Sequence, residues 1–275
     1  MIAPVITLTT IPSRLESTSD LGFKSCLNSL LEQDWENYQV WINIPLVHSY
    51  SGKEYYIPDW LENLVEVDDK LKIYRTEDLG PATKLIPTVE RISDPDQIII
   101  VVDDDLVYHE DMIKEQVNNQ NKWPESIVGY DGIGGRTEEG ERLKAFGDSR
   151  DHYCVSIRMN VKVNIIQHYK TVSYKRRFFE EDFFDFCKEW LTWDDDKLMA
   201  SYFSHKRRDR RVTFHESEPT FSSWEEWLKK GGVQTFPVLR HTNHDLKEGC
   251  YFYRKETDGK FFDKYFKQFI DKGYE

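Results

Sequence analysis

The chain has 275 residues, with 37 Lys and Arg against 49 Asp and Glu, and its formal net charge is −12. This acidic balance argues against a nucleic-acid-binding protein, because such proteins usually present a basic surface. Aromatic residues make up 14% of the chain, which excludes a disordered polypeptide and indicates a folded one.

Membrane and secretion signals are missing from the sequence. No apolar stretch reaches the roughly 18 residues of a membrane span, and the first residues lack the charged and apolar regions of a signal peptide. The cysteines lie far apart, which excludes a CxxC zinc or redox motif and favours reduced thiols; they are Cys26, Cys154, Cys187 and Cys250. We therefore expect a cytoplasmic protein without a transmembrane segment.

Apolar runs alternate with helical patterns in the first half of the chain. Strands are predicted at residues 3–9, 38–44, 71–75 and 97–102, and helices at 15–31, 83–91 and 110–121. Such alternation is typical of an α/β sheet with right-handed crossovers. The run 97–102 is continuously apolar, which predicts a strand that is buried on both faces of a parallel sheet.

The pattern is less regular after Trp123. Residues 129–151 are rich in Gly, Glu and Arg and predict a loop. Further on, strands are predicted at 152–159 and 236–239, and helices at 178–190, 195–205 and 261–270. Two basic runs, at 175–177 and 206–211, are interpreted as solvated helix ends; the alternative is a surface for an anionic ligand or a membrane.

Three consecutive aspartates, Asp103, Asp104 and Asp105, follow the most apolar strand. Ligands of open α/β sheets bind beyond the carboxyl ends of the strands. Adjacent carboxylates repel one another, and Mg²⁺ or Mn²⁺ would relieve that repulsion. Because side chains alternate along an extended segment, Asp103 and Asp105 should point in one direction. The alternative is a solvated acidic turn that caps the next helix.

Three segments together carry a resemblance to a known family. They are Thr-Thr-Ile-Pro-Ser-Arg at residues 9–14, Leu-Gly-Pro-Ala-Thr-Lys-Leu at 79–85, and Ile-Ile-Val-Val-Asp-Asp-Asp at 99–105. The chain resembles nucleotide-sugar glycosyltransferases of the GT-A fold with a DxD-type motif. Within that fold it is similar to small soluble transferases of bacterial polysaccharide clusters and large algal viruses. The similarity in motifs spans about residues 3–125.

The resemblance implies an architecture. We expect the GT-A (Rossmann-like) fold, an α/β fold with a mostly parallel central sheet flanked by helices and a less regular C-terminal part on the acceptor side. Residues 1–275 would form a single domain. Within it, residues 1–125 would form the nucleotide-sugar-binding half, and residues 126–275 the acceptor-side half with a C-terminal helix.

The resemblance also implies donor-binding residues in the first two motifs. Thr9, Thr10 and Arg14 would lie near the nucleotide, and Lys84 would reach the nucleotide or anchor the acidic loop. From the residues alone, other interpretations stay open. The threonines would simply end a strand, Arg14 would lie on the surface of the first helical turn, and Lys84 would be an exposed helix lysine.

A metal site is the third implication. Asp105 would bind Mn²⁺ or Mg²⁺, Asp103 would lie near the ribose, the sugar and the metal, and Asp104 would contact the sugar. His241, at the end of the predicted strand 236–239, would complete the metal shell, since histidine is a frequent metal ligand. The alternative for His241 is a polar residue at the exit of a strand.

A second acidic run, Trp193-Asp194-Asp195-Asp196, precedes a predicted helix. In an inverting transferase a carboxylate removes the proton of the acceptor hydroxyl as the new bond forms. Asp195 is the first candidate for this base, and Asp194 is the second. The alternative is a helix N-cap with acidic first-turn residues, which the helix dipole favours.

Together these features predict a metal-dependent glycosyltransferase (a hexosyl- or pentosyltransferase). It would move a sugar from a UDP- or GDP-linked donor to a glycan hydroxyl, and inversion is slightly favoured. One alternative is a non-catalytic module on the same fold that binds a glycan or a nucleotide. Another is a sugar nucleotidyltransferase, although the Gly- and Lys/Arg-rich signature of that class does not follow the first strand. The sequence does not indicate an oligomeric state.

Overall fold

A computed structural model gives the fold of this chain. It describes residues 3–17, 19–20, 22–133, 161–168, 170–191, 194–213 and 238–241, with the backbone alone at 133, 161 and 238–241. The predicted strand 152–159 and the predicted helix 261–270 lie outside the described residues, as do Trp193 and most of the predicted loop 129–151.

The described part alternates strands and helices from its first element onward. The strands are β1 (Val5–Thr9), β2 (Gln39–Pro45), β3 (Leu71–Thr76), β4 (Ile98–Val101), β5 (Leu106–Tyr108), β6 (Ile127–Gly129), β7 (Gly132–Ile133), β8 (Val161–Lys162), β9 (Ile165–Ile166), β10 (Val172–Lys175), β11 (Arg210–Val212) and β12 (Val238–His241). The α-helices are α1 (Pro12–Leu15), α2 (Phe23–Leu31), α3 (Asp59–Val67), α4 (Ile86–Arg91), α5 (Met112–Lys122), α6 (Phe183–Trp190) and α7 (Asp195–His205). Short 3-10 helices occupy Gly80–Lys84 and Arg176–Phe178.

Among the described residues, one sheet of 8 strands has the order β3-β2-β1-β4-β10-β6-β11-β8. Neighbours are parallel from β3 to β4 and between β6 and β11. Strand β10 lies antiparallel between β4 and β6, and β8 is antiparallel to β11. Two small pairs, β5 with β12 and β7 with β9, are also antiparallel. The predicted α/β fold with a mostly parallel sheet is therefore confirmed.

Alternation along the central strands places apolar side chains on both faces of the sheet. On β4, Ile99 and Val101 join a core with α4, α6 and α7, whereas Ile100 joins a second core with α2, α3 and α5. Each of these three side chains is fully buried. The continuously apolar strand therefore lies between two helical layers, as its sequence predicts.

The predicted helix 15–31 is in fact two helices. Helix α1 ends at Leu15 and α2 begins at Phe23, after Gly22 with a φ of 90°. This positive φ is a conformation that glycine adopts without steric cost, and it breaks the helical path. The predicted helix 83–91 is likewise divided between the 3-10 helix Gly80–Lys84 and α4.

The interpretation of the basic runs as solvated helix ends is wrong in part. Arg211 lies on strand β11, is only 5% exposed and stacks 4.0 Å from the ring centroid of Trp123. Lys175 ends strand β10 rather than a helix. In contrast, Lys206 does follow the last residue of α7 and pairs with Glu180. Stacking on an aromatic face allows an arginine stem and its charge to lie close to the core.

Two expectations, one on the thiols and one on membrane-spanning segments, can be compared with the described residues. Cys26 and Cys187 are buried free thiols. Among the helices in the described ranges, none combines the length and the apolar character that a bilayer crossing requires.

Candidate active site

The aspartates after β4 lie at the carboxyl edge of the sheet and differ in exposure. The side chains of Asp103 and Asp105 are each 29% exposed, whereas that of Asp104 is 7% exposed. The backbone of this turn is fixed from below, because the Asp103 N–H donates to the Tyr108 hydroxyl at 3.0 Å and the Cys26 thiol donates to the Asp103 carbonyl at 3.4 Å. Asp103 and Asp105 are therefore the more accessible members of the run. Asp103 contacts Lys84, whereas Asp104 and Asp105 share Arg14, so the common direction of Asp103 and Asp105 stays a prediction.

Asp104 is the buried anchor of this turn. The Thr10 hydroxyl donates to Asp104 Oδ2 at 2.6 Å, and Arg14 Nη1 donates to Asp104 Oδ1. Because Thr10 follows β1 and Arg14 lies on α1, these contacts join the ends of two adjacent parallel strands. Both groups predicted to meet the nucleotide thus contact the acidic turn itself.

Arg14 also donates to Asp105, with 3.1 Å between Nη2 and Oδ2. Even so, burial and the neighbouring charge of Asp104 raise the pKa of Asp105 to about 7, although Arg14 acts in the opposite direction. Burial and the charge of Asp104 thus outweigh the contact between Arg14 and Asp105.

Lys84 is buried, with 7% of its side chain exposed, and contacts two acidic groups. Its ammonium is 2.7 Å from Asp103 Oδ1 and 2.8 Å from Asp195 Oδ2. Burial acts to lower the pKa of Lys84, but Asp103 and Asp195 outweigh it and hold the pKa well above the usual range. The Thr7 hydroxyl donates to the Lys84 carbonyl at 2.5 Å, which fixes the backbone of this residue against β1. Lys84 is thus a permanent cation in the centre of the site.

The second acidic run begins helix α7, and its three members do different work. Asp194 is the N-cap, since its Oδ1 accepts from the Lys197 N–H at 3.0 Å. Asp195 reaches Lys84, and Asp196 Oδ1 accepts from the backbone N–H of His168 at 2.9 Å. Burial would raise the pKa of Asp195, yet the cations of Lys84 and His168 hold it well below its usual range.

His168 completes this cluster from a buried position with 1% side-chain exposure. Its Nδ1 lies 2.7 Å from Asp195 Oδ2 and 3.0 Å from Asp196 Oδ1, and its Nε2 lies 2.6 Å from the Tyr174 hydroxyl. Burial would lower the pKa of His168, but the two carboxylates raise it to about 9. At neutral pH this imidazole is therefore a cation.

The remaining predicted residues are placed as follows. The Thr9 hydroxyl donates to the Asn43 carbonyl at 2.7 Å, so it joins β1 to β2. His241 is the last residue of β12, and its backbone pairs with Leu106, directly after Asp105. The His241 side chain lies outside the description, so its role as a metal ligand stays a prediction.

Sequence reasoning missed His168 and Tyr174. His168 is a single histidine between two short strands and belongs to none of the motifs. Its significance comes from Asp195 and Asp196, which lie far along the chain. The nearest sequence signal was the acidic run itself, since two buried carboxylates require a cationic partner.

Two sets of side chains offer oxygen or nitrogen ligands to a divalent cation. Among the described residues, His168, Asp195 and Asp196 each present one ligand atom within 4.8 Å of the others. In this set Asp195 already contacts the Lys84 ammonium and the His168 ring. Asp103 and Asp105 are more exposed, at 29% each, and their carboxylate oxygens are the ligands that Mg²⁺ and Mn²⁺ prefer.

Comparison with known proteins gives the following matches. The family model of Glycosyl transferase family 2 matches residues 21–199 of this chain. No sequence among curated proteins matches it at a significant level.

Solved structures give matches of low sequence identity. Residues 1–349 of S. aureus TarS, crystallised with UDP, are 15% identical, with 77% of this chain and 57% of that chain covered and a TM-score of 0.48. GalNAc-T7, crystallised with UDP, GalNAc and Mn²⁺, is 11% identical, with 77% and 42% covered and a TM-score of 0.53. The GalNAc-T7 match indicates a shared fold, and this chain spans about half the length of the structures it matches.

Proposed function

Because the chain belongs to glycosyl transferase family 2, we propose that it moves a sugar from a nucleoside diphosphate sugar to a hydroxyl group of a glycan. The observation that carries this proposal is the position of Lys84. Its ammonium contacts both the strand-end Asp103 and the helix-start Asp195. Groups suited to binding a diphosphate and a group suited to removing a proton therefore lie in one site, at the sheet edge where ligands of α/β proteins bind.

The donor would bind over the acidic turn after β4. Asp103 and Asp105 would hold Mn²⁺ or Mg²⁺, with His241 as a predicted third ligand. A bound divalent cation would neutralise the charge that develops on the leaving diphosphate. Arg14 and Lys84 would add positive charge on either side, and Thr9 and Thr10 would border the nucleotide. We propose UDP or GDP as the nucleotide of the donor.

Asp195 is the proposed base of an inverting reaction. The acceptor oxygen would bond to the anomeric carbon as the bond from that carbon to the diphosphate breaks, and the acceptor proton would pass to the Asp195 carboxylate. In the free protein Lys84 and His168 lower the basicity of Asp195. The donor diphosphate would compete with Asp195 for the Lys84 ammonium and so raise the basicity of the carboxylate as the substrate binds.

The proposed division of labour follows the chain. Residues 1–125 supply Arg14, Lys84 and the acidic turn and would form the donor half, whereas residues 126–275 supply Asp195 and would form the acceptor-side half of a single domain. The buried free thiols Cys26 and Cys187 agree with the proposed cytoplasmic setting.

Thermal melting with a panel of nucleoside diphosphates and sugar nucleotides, with and without Mn²⁺, tests the proposal. UDP with Mn²⁺ is the first pair to try, and ADP is the control nucleotide. We expect a rise in melting temperature with one uridine or guanosine nucleotide, and only with the metal, because ligands that bind the native state stabilise it. No rise with any of them would overturn the proposal. Binding without donor turnover would instead indicate a non-catalytic module.

A further inference from the structure

We infer that His168 is a positioning residue, which holds the Asp195 carboxylate at Lys84 and ties the start of helix α7 to strand β10. This inference rests on the proposed function, because it concerns the proposed base. Both ring nitrogens and the backbone N–H of His168 have partners in the structure. The residue is too deeply buried to touch a substrate itself, so its effect on the reaction passes through Asp195.

The His168 ring lies close to the Asp195 carboxylate. Nδ1 lies 2.7 Å from Asp195 Oδ2, the same oxygen that lies 2.8 Å from Lys84 Nζ. One carboxylate oxygen is therefore held from two directions. A carboxylate with a single partner keeps rotational freedom, whereas a carboxylate between two fixed donors has one orientation.

The His168 ring is itself held in place by Tyr174. Nε2 lies 2.6 Å from the hydroxyl of Tyr174, a residue whose backbone pairs with Ile99 on the central strand β4. Tyr174 is fully buried and stacks on Phe203 of helix α7, with 5.5 Å between the ring centroids. The imidazole therefore cannot turn away from Asp195 without a loss of packing in the core.

Charged and titratable groups from several elements surround the His168 ring. Asp195 and Asp196 face the ring from α7, Tyr174 faces it from β10, and Lys84 lies across Asp195; Arg210 of β11 acts on Tyr174. With a protonated ring, two cations, Lys84 and His168, face the three carboxylates of Asp103, Asp195 and Asp196. With a neutral ring, Lys84 alone would face Asp103, Asp195 and Asp196, and buried unpaired charge is costly.

The kinetic test compares His168→Asn and His168→Ala with the unaltered chain. Asparagine keeps a neutral N–H donor near the Nδ1 position, so we expect His168→Asn to retain more activity than His168→Ala. We expect His168→Ala to lower kcat by about ten- to a hundredfold, as supporting groups of reactive residues do. The KM of the sugar nucleotide identified by melting should stay unchanged. A wild-type kcat in His168→Ala, or a change in KM alone, would overturn the inference.

Rescue by the conservative variant gives a readout that a purely structural role would not alter. At neutral pH the kcat of His168→Asn should lie between those of His168→Ala and the unaltered chain, because the conservative variant restores one donor to Asp195. Equal losses of kcat in His168→Asn and His168→Ala would contradict the inference.

Nitrogen nuclear magnetic resonance on the full chain, labelled with ¹⁵N-histidine, separates the inference from the alternative metal site. We expect both ring nitrogens of His168 to be protonated at neutral pH and unaffected by Mg²⁺. An unprotonated nitrogen that shifts when Mg²⁺ is added would assign His168 as a metal ligand and overturn the inference. The measurement needs neither nucleotide binding nor turnover, so failure of the proposed function, which the melting screen and a transfer assay detect, is distinguished from failure of this inference.

Discussion

The chain contains two runs of three aspartates, and the fold shifts the pKa of one member of each run in opposite directions. Residues 103–105 follow a buried strand, and burial together with neighbouring carboxylates raises the pKa of Asp105 to about 7. Residues 194–196 begin a helix, and there the cations of Lys84 and His168 overcome burial and hold the pKa of Asp195 well below its usual range. The pKa of Asp196 in the second run is raised as well, so the contrast is between Asp105 and Asp195.

The groups that contact an acidic run decide whether its carboxylates are ionised and whether they favour a metal ion. At Asp105 burial and neighbouring carboxylates favour a divalent cation, whereas Lys84 and His168 keep Asp195 ionised without one. Lys84 is the link, because its ammonium contacts one member of each run. Variants of Lys84 and of single aspartates test this difference between the two runs.

Lys84→Met should have the largest effect, because it removes the cation that both runs share. The variant removes a cation from Asp103, which is 29% exposed, and leaves Asp195 with His168 as its remaining cation, so the free energy of unfolding should fall by about 3 kcal/mol, the lower end for a broken buried pair. Chemical denaturation measures the change. Lys53→Met is the matched control, since Lys53 pairs with Glu16 at the surface and its removal should cost about 1 kcal/mol or less. Equal losses in the two variants would refute the central role of Lys84.

Asp105→Ala should abolish the stabilisation that depends on the metal and the nucleotide. At a ligand concentration about 100-fold above Kd this stabilisation is about 2.7 kcal/mol, and melting with UDP and Mn²⁺ measures its loss. Asp185→Ala is the control, because that carboxylate is exposed at the surface of α6. An unchanged metal-dependent rise in Asp105→Ala would remove the metal from this run.

Asp195→Asn should spare donor binding and lower the rate of transfer by roughly 10²-fold or more, as expected for a lost general base. Single-turnover transfer measures the rate, and calorimetry with the nucleotide measures binding. Asp196→Asn sharpens the test within the same run. Burial and Asp195 raise the pKa of Asp196, so a neutral amide should be better tolerated there. Full activity of Asp195→Asn would place the base elsewhere.

Asp194→Ala should have the smallest effect, a loss of about 1 kcal/mol in the free energy of unfolding, because it removes a helix N-cap. Asp194→Asn should recover most of that stability, since asparagine also caps helices. Transfer activity should be little changed in both variants. A large fall in transfer with unchanged stability would identify Asp194, rather than Asp195, as the base.

Local patterns in the sequence predicted the parts of the site that lie within one element. The apolar strand before residues 103–105 is such a part, and so is helix α7, whose bounds at Asp195 and His205 agree with the structure because a cap and acidic first-turn residues mark its start. The contact between Lys84 and Asp195 joins residues that are distant along the chain, and no local pattern encodes it. His168 was missed for the same reason, since its partners come from α7 and β10.

Strand β10 runs against its parallel neighbours, and this reverses the direction in which the chain meets the ligand edge. On β1 and β4, residues that come after the strand reach that edge: Thr10, and Asp103 to Asp105. On β10, Val172 pairs with Val101, so the residues that come before the strand lie there, and His168 is one of them. A reader of such sheets should therefore search downstream of each parallel strand and upstream of each reversed one.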